Sequence, residues 1–528
     1  MKAEVALVIV DTFTSFDAEY AGPSRIAAYL RQHNISVSLI YIDMDNGINN
    51  ADKLIEQIPV QANIIGFTIY NTNAKIIYTM CNALKKHNKN IFIGAGSQMA
   101  TATSKLILDD CSDIDFIILG DGELTLHNLI IQYENNDYKF GISPHVVTRG
   151  NFEDKYPAVV DIETMPRISR DFFHNNKKQN FFSARMIGSR GCTARCSFCS
   201  MANQDIQNHS VWKGRPIEDV FDEIKEVHQQ YGICSFSFTD NSFEDPGRLG
   251  KKRISEFCEL CFKYPHNLHF WCYLRAETFK EVDVPLIKKM KKAGFTQVFI
   301  GMEASNNEDL ELYNKNATVE DNYRAYKLFT GCGIDVVPGY IMFNPYTTKE
   351  RLKDNFLFVK ENKLAILKLY YRHLEIYYGT KIYHKVLSDN LLGNDFNYLD
   401  STNYQFSDNH VMAISTFIKE HIVGSEIEKY DGDLQTLIST LSFINAVLPL
   451  EIDGLTDELT TYRNELAGEM ADFFSILYID NDICKAKQEW SHVSERMKNI
   501  YRKINKEKMR IFKNKEVLNL FVKMKNRT

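Results

Sequence analysis

Three cysteines fall within eight residues, Cys192, Cys196 and Cys199, in the stretch SRGCTARCSFCSM over 189–201. Thiolates in a C-x3-C-x2-C array wrap one metal centre. Zinc in a closed site takes four protein ligands, and the next cysteine or histidine after Cys199 is His209. An iron–sulfur cube is held by cysteine thiolates. With three local ligands, one iron keeps a position open for a small molecule. On spacing alone a zinc or structural centre stays the alternative. The remaining cysteines read differently. Cys258 and Cys261 sit at i, i+3 on an apolar helical stripe and are expected as buried thiols. Cys332 is expected in the core, and no cysteine stands out as a hydrogen-atom donor.

The array must be presented by a scaffold, and the second half of the chain supplies one. From 181 onward, apolar runs alternate with helical patterns. Strands are predicted over 184–188, 235–240, 269–274, 297–302, 335–341 and 368–376, with helices near 216–230, 252–263, 284–293, 319–330 and 349–361. Six βα units in sequence predict a partial (β/α)6 TIM-like barrel over 181–385. Such barrels carry their chemistry at the strand carboxyl ends, and the cysteine array directly follows the first strand.

Residues 1–145 show the same alternation on a smaller scale. Apolar runs at 4–10, 36–42, 63–69, 90–94 and 115–120 are separated by helical patterns. Continuous apolar strands between helices predict a parallel sheet covered on both faces. A doubly wound, flavodoxin-like α/β domain fits, with its ligand site at the strand carboxyl ends. Those ends carry DTFT (11–14), YNTN (70–73), GAGS (94–97) and GDGE (120–123). Gly94, Gly96, Gly120 and Gly122 are therefore candidate cofactor-binding positions, since glycine lets backbone approach a bulky ligand closely. Tight strand-to-helix turns are the bland alternative. Residues 146–180 read as a linker. Residues 386–528 read as a mainly helical region, ending in a basic stretch (485–528) with 14 Lys and Arg against 4 Glu.

The whole chain is that of an ordinary globular protein: 528 residues, 44% hydrophobic, 25% charged, net charge -6. That charge gives no reason to expect DNA as a partner. The apolar runs are too short to span a bilayer, and no secretory signal pattern opens the chain. A cytoplasmic protein is expected. In a reducing compartment its eleven cysteines are metal ligands or buried thiols rather than a disulfide framework.

CTARCSFC after a first barrel strand resembles the signature of radical S-adenosylmethionine (SAM) enzymes. The resemblance implies that Cys192, Cys196 and Cys199 hold a [4Fe–4S] cluster whose fourth iron is chelated by SAM, and that Phe198 flanks the adenine. It implies reductive cleavage of SAM to a 5′-deoxyadenosyl radical, with electrons from a donor such as flavodoxin or ferredoxin. VWKGRPIEDVFDEI (211–224) resembles the family's post-cluster segment. FSFTDNSF (236–243) resembles the second-strand end and makes Asp240 the candidate for the SAM amino group. FIGMEAS (299–305) resembles the fourth-strand end, with Glu303 as its charge. Arg275 is a candidate partner for the SAM carboxylate or for Glu303. PGYIMFNP (338–345) resembles the segment that packs on adenine, and YYGTKIY (377–383) the segment that closes the barrel. Capping or buried ion pairing is the alternative reading for Asp240 and Glu303.

The preceding domain, with IGAGSQ and DFIILGDGE in that order, resembles the cobalamin (B12)-binding subfamily; the likeness spans roughly 1–385. The histidine loop D-x-H-x-x-G is missing: no histidine lies between Asp11 and Gly22. The resemblance implies cobalamin without a protein histidine on cobalt, and C-methylation of an unactivated carbon in a natural-product or peptide substrate. Cobalamin-independent epimerisation, dehydration or cyclisation is the alternative. A methylthiotransferase would want three N-terminal cysteines, where this chain has Cys81 and Cys111. A non-catalytic Fe–S or cobalamin sensor is more remote.

Overall fold

A computed structural model describes residues 3–11, 19–44, 50–175, 183–201, 212–448, 453–515 and 517–519. Thr12, Phe13 and Thr14 of the first strand-end turn, residues 176–180 of the expected linker, His209, and the last nine residues of the basic stretch lie outside the described residues.

The first sheet contains β1 (Glu4–Asp11), β2 (Ser36–Asp43), β3 (Ile64–Thr68), β4 (Phe92–Gly96), β5 (Phe116–Ile118) and β6 (Val146–Val147), in the order β2-β1-β3-β4-β5-β6. The first five run parallel and β6 joins β5 antiparallel. This is the expected flavodoxin-like order, and its core strands are apolar on both faces because helices cover both. Val5, Leu7 and Ile9 feed one apolar cluster while Ala6, Val8 and Val10 feed another.

The stretch 146–175 is stitched to both neighbours by arginines. Arg149 donates to the carbonyls of Cys111 and Ile114 at 2.7 and 2.9 Å. Arg167 pairs with Asp219 at 2.6 Å, and Arg170 with Glu223 at 2.7 Å and with Glu19. Asp219 and Glu223 belong to the helix Ile217–Tyr231 of the barrel, and Glu19 precedes the first helix of the first domain.

The barrel is built from two arcs of parallel strands. One holds β7 (Ala184–Met186), β10 (Ser235–Phe238) and β11 (His269–Trp271); the other holds β12 (Tyr273–Arg275), β13 (Gln297–Glu303) and β14 (Asp335–Tyr340). A short antiparallel pair, β8 (Ser189–Gly191) with β9 (Trp212–Gly214), extends above β7. The strand expected over 368–376 is reduced to a 3-10 turn, Leu367–Tyr370, and one bridge, Phe343 to His373. The cause is capture from outside: the Leu367 amide donates to buried Asp431 of the helix Glu426–Val447 at 3.1 Å.

The C-terminal region is helical as expected, with helices Asn409–His421, Glu426–Val447, Asp453–Tyr478 and Ile483–Phe512. The last buries Val493, Met497, Ile500, Ile504 and Ile511. It turns its charges outward, where Arg496, Lys498 and Lys503 pair with Glu469, Glu426 and Glu465. Between barrel and helices, a hairpin over 391–405 reaches back to the first domain. The Tyr398 hydroxyl donates to Asp110 at 2.6 Å and lies 2.7 Å from that of Tyr78, and Leu399 packs on the first domain's core.

Two histidines sit where the helices meet the barrel. His269 is buried, its Nδ1 2.8 Å from the Ser235 hydroxyl. His373 donates from Nδ1 to the Tyr371 carbonyl at 2.9 Å and accepts at Nε2 from Ser415 at 2.8 Å. Burial lowers both pKa values to about 4. The unfolded chain therefore takes up their protons first, and stability falls as pH drops from about 6.5 towards about 4. Urea denaturation across that window is expected to show this loss, and a variant carrying His269→Gln and His373→Gln is expected to show a shallower one.

Candidate active site

The cysteine loop leaves β8 at Gly191, whose φ of 85° glycine accepts without strain. Hydrogen bonds rather than apolar packing hold it. The Thr193 amide and hydroxyl both donate to Asp245, at 2.9 and 2.7 Å. Ser197 donates from its amide to the Tyr313 carbonyl and from its hydroxyl to the Leu312 carbonyl. Its own carbonyl accepts from Ile382, and Asn314 donates to the Arg195 carbonyl at 2.6 Å. Three separate elements thus grip a loop of eight residues.

All three cysteines are half-buried. Burial pushes the Cys192 thiol up to about 12 and that of Cys196 to about 11, and Cys192 feels Cys196 as Cys196 feels Cys199. Free thiolates are thus disfavoured until a bound cation supplies charge, since a coordinating thiol is deprotonated outright. Among the described residues no three His, Cys, Asp or Glu side chains converge on one ion position. Thiolates that each bind a different corner of a cube need not converge. The donor set fits an iron–sulfur cube.

Around the loop stands a ring of charge. Arg275, at the end of β12, pairs with Asp245 at 2.7 Å and Glu244 at 3.3 Å and donates to the Thr193 hydroxyl at 3.0 Å. Glu303 ends β13 beyond a bulge, with a φ of 65°. Bulges re-aim side chains, and left-handed non-glycine backbone concentrates at functional positions. Glu303 pairs with buried Lys315 at 3.0 Å. Burial works against the Lys315 ammonium, but Glu303 and the nearby Cys196 outweigh it and raise its pKa. Arg275 and Glu303 thus take other partners than each other. Asp240 is fully buried and accepts from the Gly188 amide at 2.7 Å and the Ser189 hydroxyl at 2.6 Å. It ties the end of β10 to the strand that launches the loop. Phe198 packs edge-on against Tyr313, with centroids 5.4 Å apart. Cys258 is buried and Cys261 half-buried on the helix Gly247–Lys263, as expected of core thiols.

The glycines of the first domain line one cavity of about 430 Å³. Gly94, Gly96, Gly120 and Gly122 form one wall; Ser189, Arg190, Met201, Thr239 and Asn241 of the barrel form the other. The glycines are not equivalent. A Cβ at Gly94 would meet the Phe116 ring at 2.3 Å, and one at Gly122 would meet Ile26 at 2.8 Å. Gly120 has a φ of +73°, and a Cβ there would meet the Ala158 carbonyl at 2.4 Å. Those three serve internal packing as well. Gly96 has nothing nearer than the Ile118 carbonyl at 3.9 Å and opens on the cavity. A glycine-walled cleft at parallel strand ends fits a macrocycle laid against backbone, and among the described residues no histidine lines it.

Arg190 crosses this cavity to pair with Asp121 and, at 3.4 Å, with Glu123. Glu123 is buried against Arg25 at 2.6 Å. Burial alone would raise the Glu123 pKa, but Arg190 and Arg25 together hold it below the ordinary value. Arg190, Asp121 and Glu123 stand in the SRGC and GDGE motifs, yet those motifs signal only their cysteine and glycines. Asp245 and Lys315 carry no local signal at all.

The radical SAM superfamily model matches residues 186–359, and the B12 binding domain model matches residues 10–130. The chain carries a radical SAM domain preceded by a B12-binding domain. It is an enzyme whose cofactors are a [4Fe–4S] cluster, SAM and cobalamin. An uncharacterized methyltransferase, PH0819 of Pyrococcus horikoshii, is 26% identical over 381 residues, covering 70% of this chain and 80% of that protein. The 4′-phospho-dehydrooxetanocin synthase of Priestia megaterium is 26% identical over 372 residues, covering 65% of this chain and 48% of that one. The radical SAM fold is shared with OxsB, a cobalamin-dependent radical enzyme solved with aqua-cobalamin and SAM. The TM-score is 0.72 at 18% identity, over 99% of this chain and 83% of that one. Among the described residues no helix is long and apolar enough to cross a membrane.

Replacing Cys192, Cys196 and Cys199 together with alanine is expected to abolish iron loading after anaerobic reconstitution. Iron quantitation and the visible spectrum check this. Arg190→Ala leaves buried Glu123 to Arg25 alone, and the loss is expected to cost about 1.5–3 kcal/mol in urea denaturation.

Proposed function

We propose that the protein transfers a methyl group to an unactivated carbon of a small natural product or peptide. The observation that carries this reading is the shared cavity. Met201, two residues beyond Cys199, lines the same space as Gly96 at the end of β4. A cobalamin against the glycine wall and a SAM at the cysteine loop would open onto one volume. When bound, these groups supply one-electron and methyl-carrying chemistry that side chains lack.

The protein's own residues bind, orient and shield. Cys192, Cys196 and Cys199 hold the cluster. In this reading Glu303 and Arg275 border the SAM position: the carboxylate suits an ammonium, and the guanidinium suits a carboxylate. Asp240 acts one step behind, keeping Gly188 and Ser189 in place. Lys315 holds Glu303 in its bulged conformation beside Cys196. Apolar walls from Phe198, Tyr313 and their neighbours keep water from the adenine side.

Two outcomes test the cobalamin half. Protein purified with cobalamin is expected to bind it near stoichiometrically, with no nitrogen coupling on Co(II) in paramagnetic resonance. Gly96→Val projects into the cavity and is expected to weaken cobalamin binding by about tenfold or more while iron content stays unchanged. Retention of cobalamin by that variant would place the cofactor elsewhere. Unaltered SAM cleavage with no methylated product, across cobalamin-loaded samples, would instead favour cobalamin-independent radical chemistry.

A further inference from the structure

Side chains alternate across a strand, and burial alternates with them in this barrel. Phe236, Phe238 and Phe270 are fully buried. Phe238 and Phe270 meet Phe257 of the covering helix edge to face, with centroids 5.6 and 4.9 Å apart. The opposite face is the lumen. Register places Arg185, Ser237 and Trp271 side by side on one arc, and Tyr273, Phe299 and Val337 on the other. Trp271 and Tyr273 stand two residues apart on consecutive strands, so the two rows join into one stepped layer.

That layer is not closed. A filled barrel packs its inward layers with bulky branched side chains. Here Tyr273 is 37% exposed although it sits within a barrel strand, and the other five are half-buried. Three of the six are aromatic. Trp271 and Tyr273 meet edge to face with centroids 4.5 Å apart, and Tyr273 and Phe299 at 5.2 Å. Arg185 lies close enough to Tyr273 for its charge to act on the hydroxyl. One residue pair above Ser237, Thr239 is exposed and lines the cavity between the domains. Thr239 thus belongs both to this face of the strand and to the wall of the cavity. On the other arc, Arg275 stands two residues above Tyr273, about 7 Å along the strand, at the cysteine loop.

We propose that this layer is the substrate platform and takes a planar aromatic or heteroaromatic ring, seated on Trp271, Tyr273 and Phe299 below the SAM position. The proposal rests on the methyl-transfer reading for the identity of the ligand as substrate. A ring lying there has aromatic faces and edges to pack on, arrangements that aromatic pairs favour, and its upper edge looks towards both cofactor positions.

The test is calorimetric titration of the cluster-loaded protein with indole-3-acetate and with cyclohexylacetate, probes of equal charge that differ in ring planarity. No cobalamin or turnover is needed, so the result is separable from a failure of methyl transfer. Indole-3-acetate is expected to bind, and cyclohexylacetate at least about tenfold more weakly. Trp271→Ala and Phe299→Ala are expected to lose at least about tenfold in affinity for indole-3-acetate, and Trp271→Phe to recover most of it, with iron content unchanged throughout. If an alanine variant fails to load iron, Tyr273→Ser, at the most exposed of the three rings, replaces it. Equal affinity for both probes, no binding of indole-3-acetate at millimolar concentration, or unchanged affinity in the folded variants overturns the proposal.

Discussion

Arg190 fixes where the two halves of the catalytic space stand. It leaves β8 two residues before the first cluster cysteine and ends in the carboxylates Asp121 and Glu123 of the other domain. Glu123 is itself shut in with Arg25. Burying such charges costs several kcal/mol per ion before pairing offsets it. A network of this kind adds little net stability, but it tolerates one geometry and penalises the rest. The GDGE turn and the cysteine loop are consequently in register at the level of individual side chains, although they belong to separate sheets.

The loop needs that discipline because it has few apolar groups of its own. Between Gly191 and Cys199 the one large apolar side chain is Phe198. Its position comes from Asp245, the Tyr313 and Leu312 carbonyls, Ile382 and Asn314. Several of these partners are themselves held. Asp245 is locked by Arg275, and the Tyr313 hydroxyl accepts from buried Asn344 at 2.9 Å. Polar groups in a low-dielectric setting are costly when unpaired and specific when paired. The protein thus positions its metal ligands with directional bonds, where a core would have used shape.

Much of this was legible in the sequence, for identifiable reasons. Parallel strands buried on both faces produce unbroken apolar runs, so both sheets announce themselves, and the helix over 284–293 matches its predicted limits. Cysteine spacing is a local property and points to the cluster directly. The sixth barrel strand misled because its apolar run satisfies the C-terminal helices rather than a sheet edge. What stayed hidden depends on long-range pairing. Lys315 looks like any surface lysine until Glu303 meets it, and Arg275 finds Asp245 thirty residues away. The glycine pattern points to a ligand, yet three of the four glycines are also demanded by Phe116, Ala158 and Ile26.

The hairpin over 391–405 gives the protein an unusual kind of closure. Its tip rests on Tyr78, Asp110 and the core of the first domain. Its base packs with Leu391, Leu392 and Phe396 beside the barrel mouth. The polypeptide therefore visits the first domain twice, once at the start and again some 250 residues after leaving it at β6. A cut between the domains would leave a nicked molecule still fastened by Tyr398 and Leu399. A gene fragment that stops at the end of the barrel would expose the patch that Leu399 covers. The natural unit of expression, inheritance and recombination is then the full length of the fold, and the two cofactor domains are not modules to be exchanged one at a time.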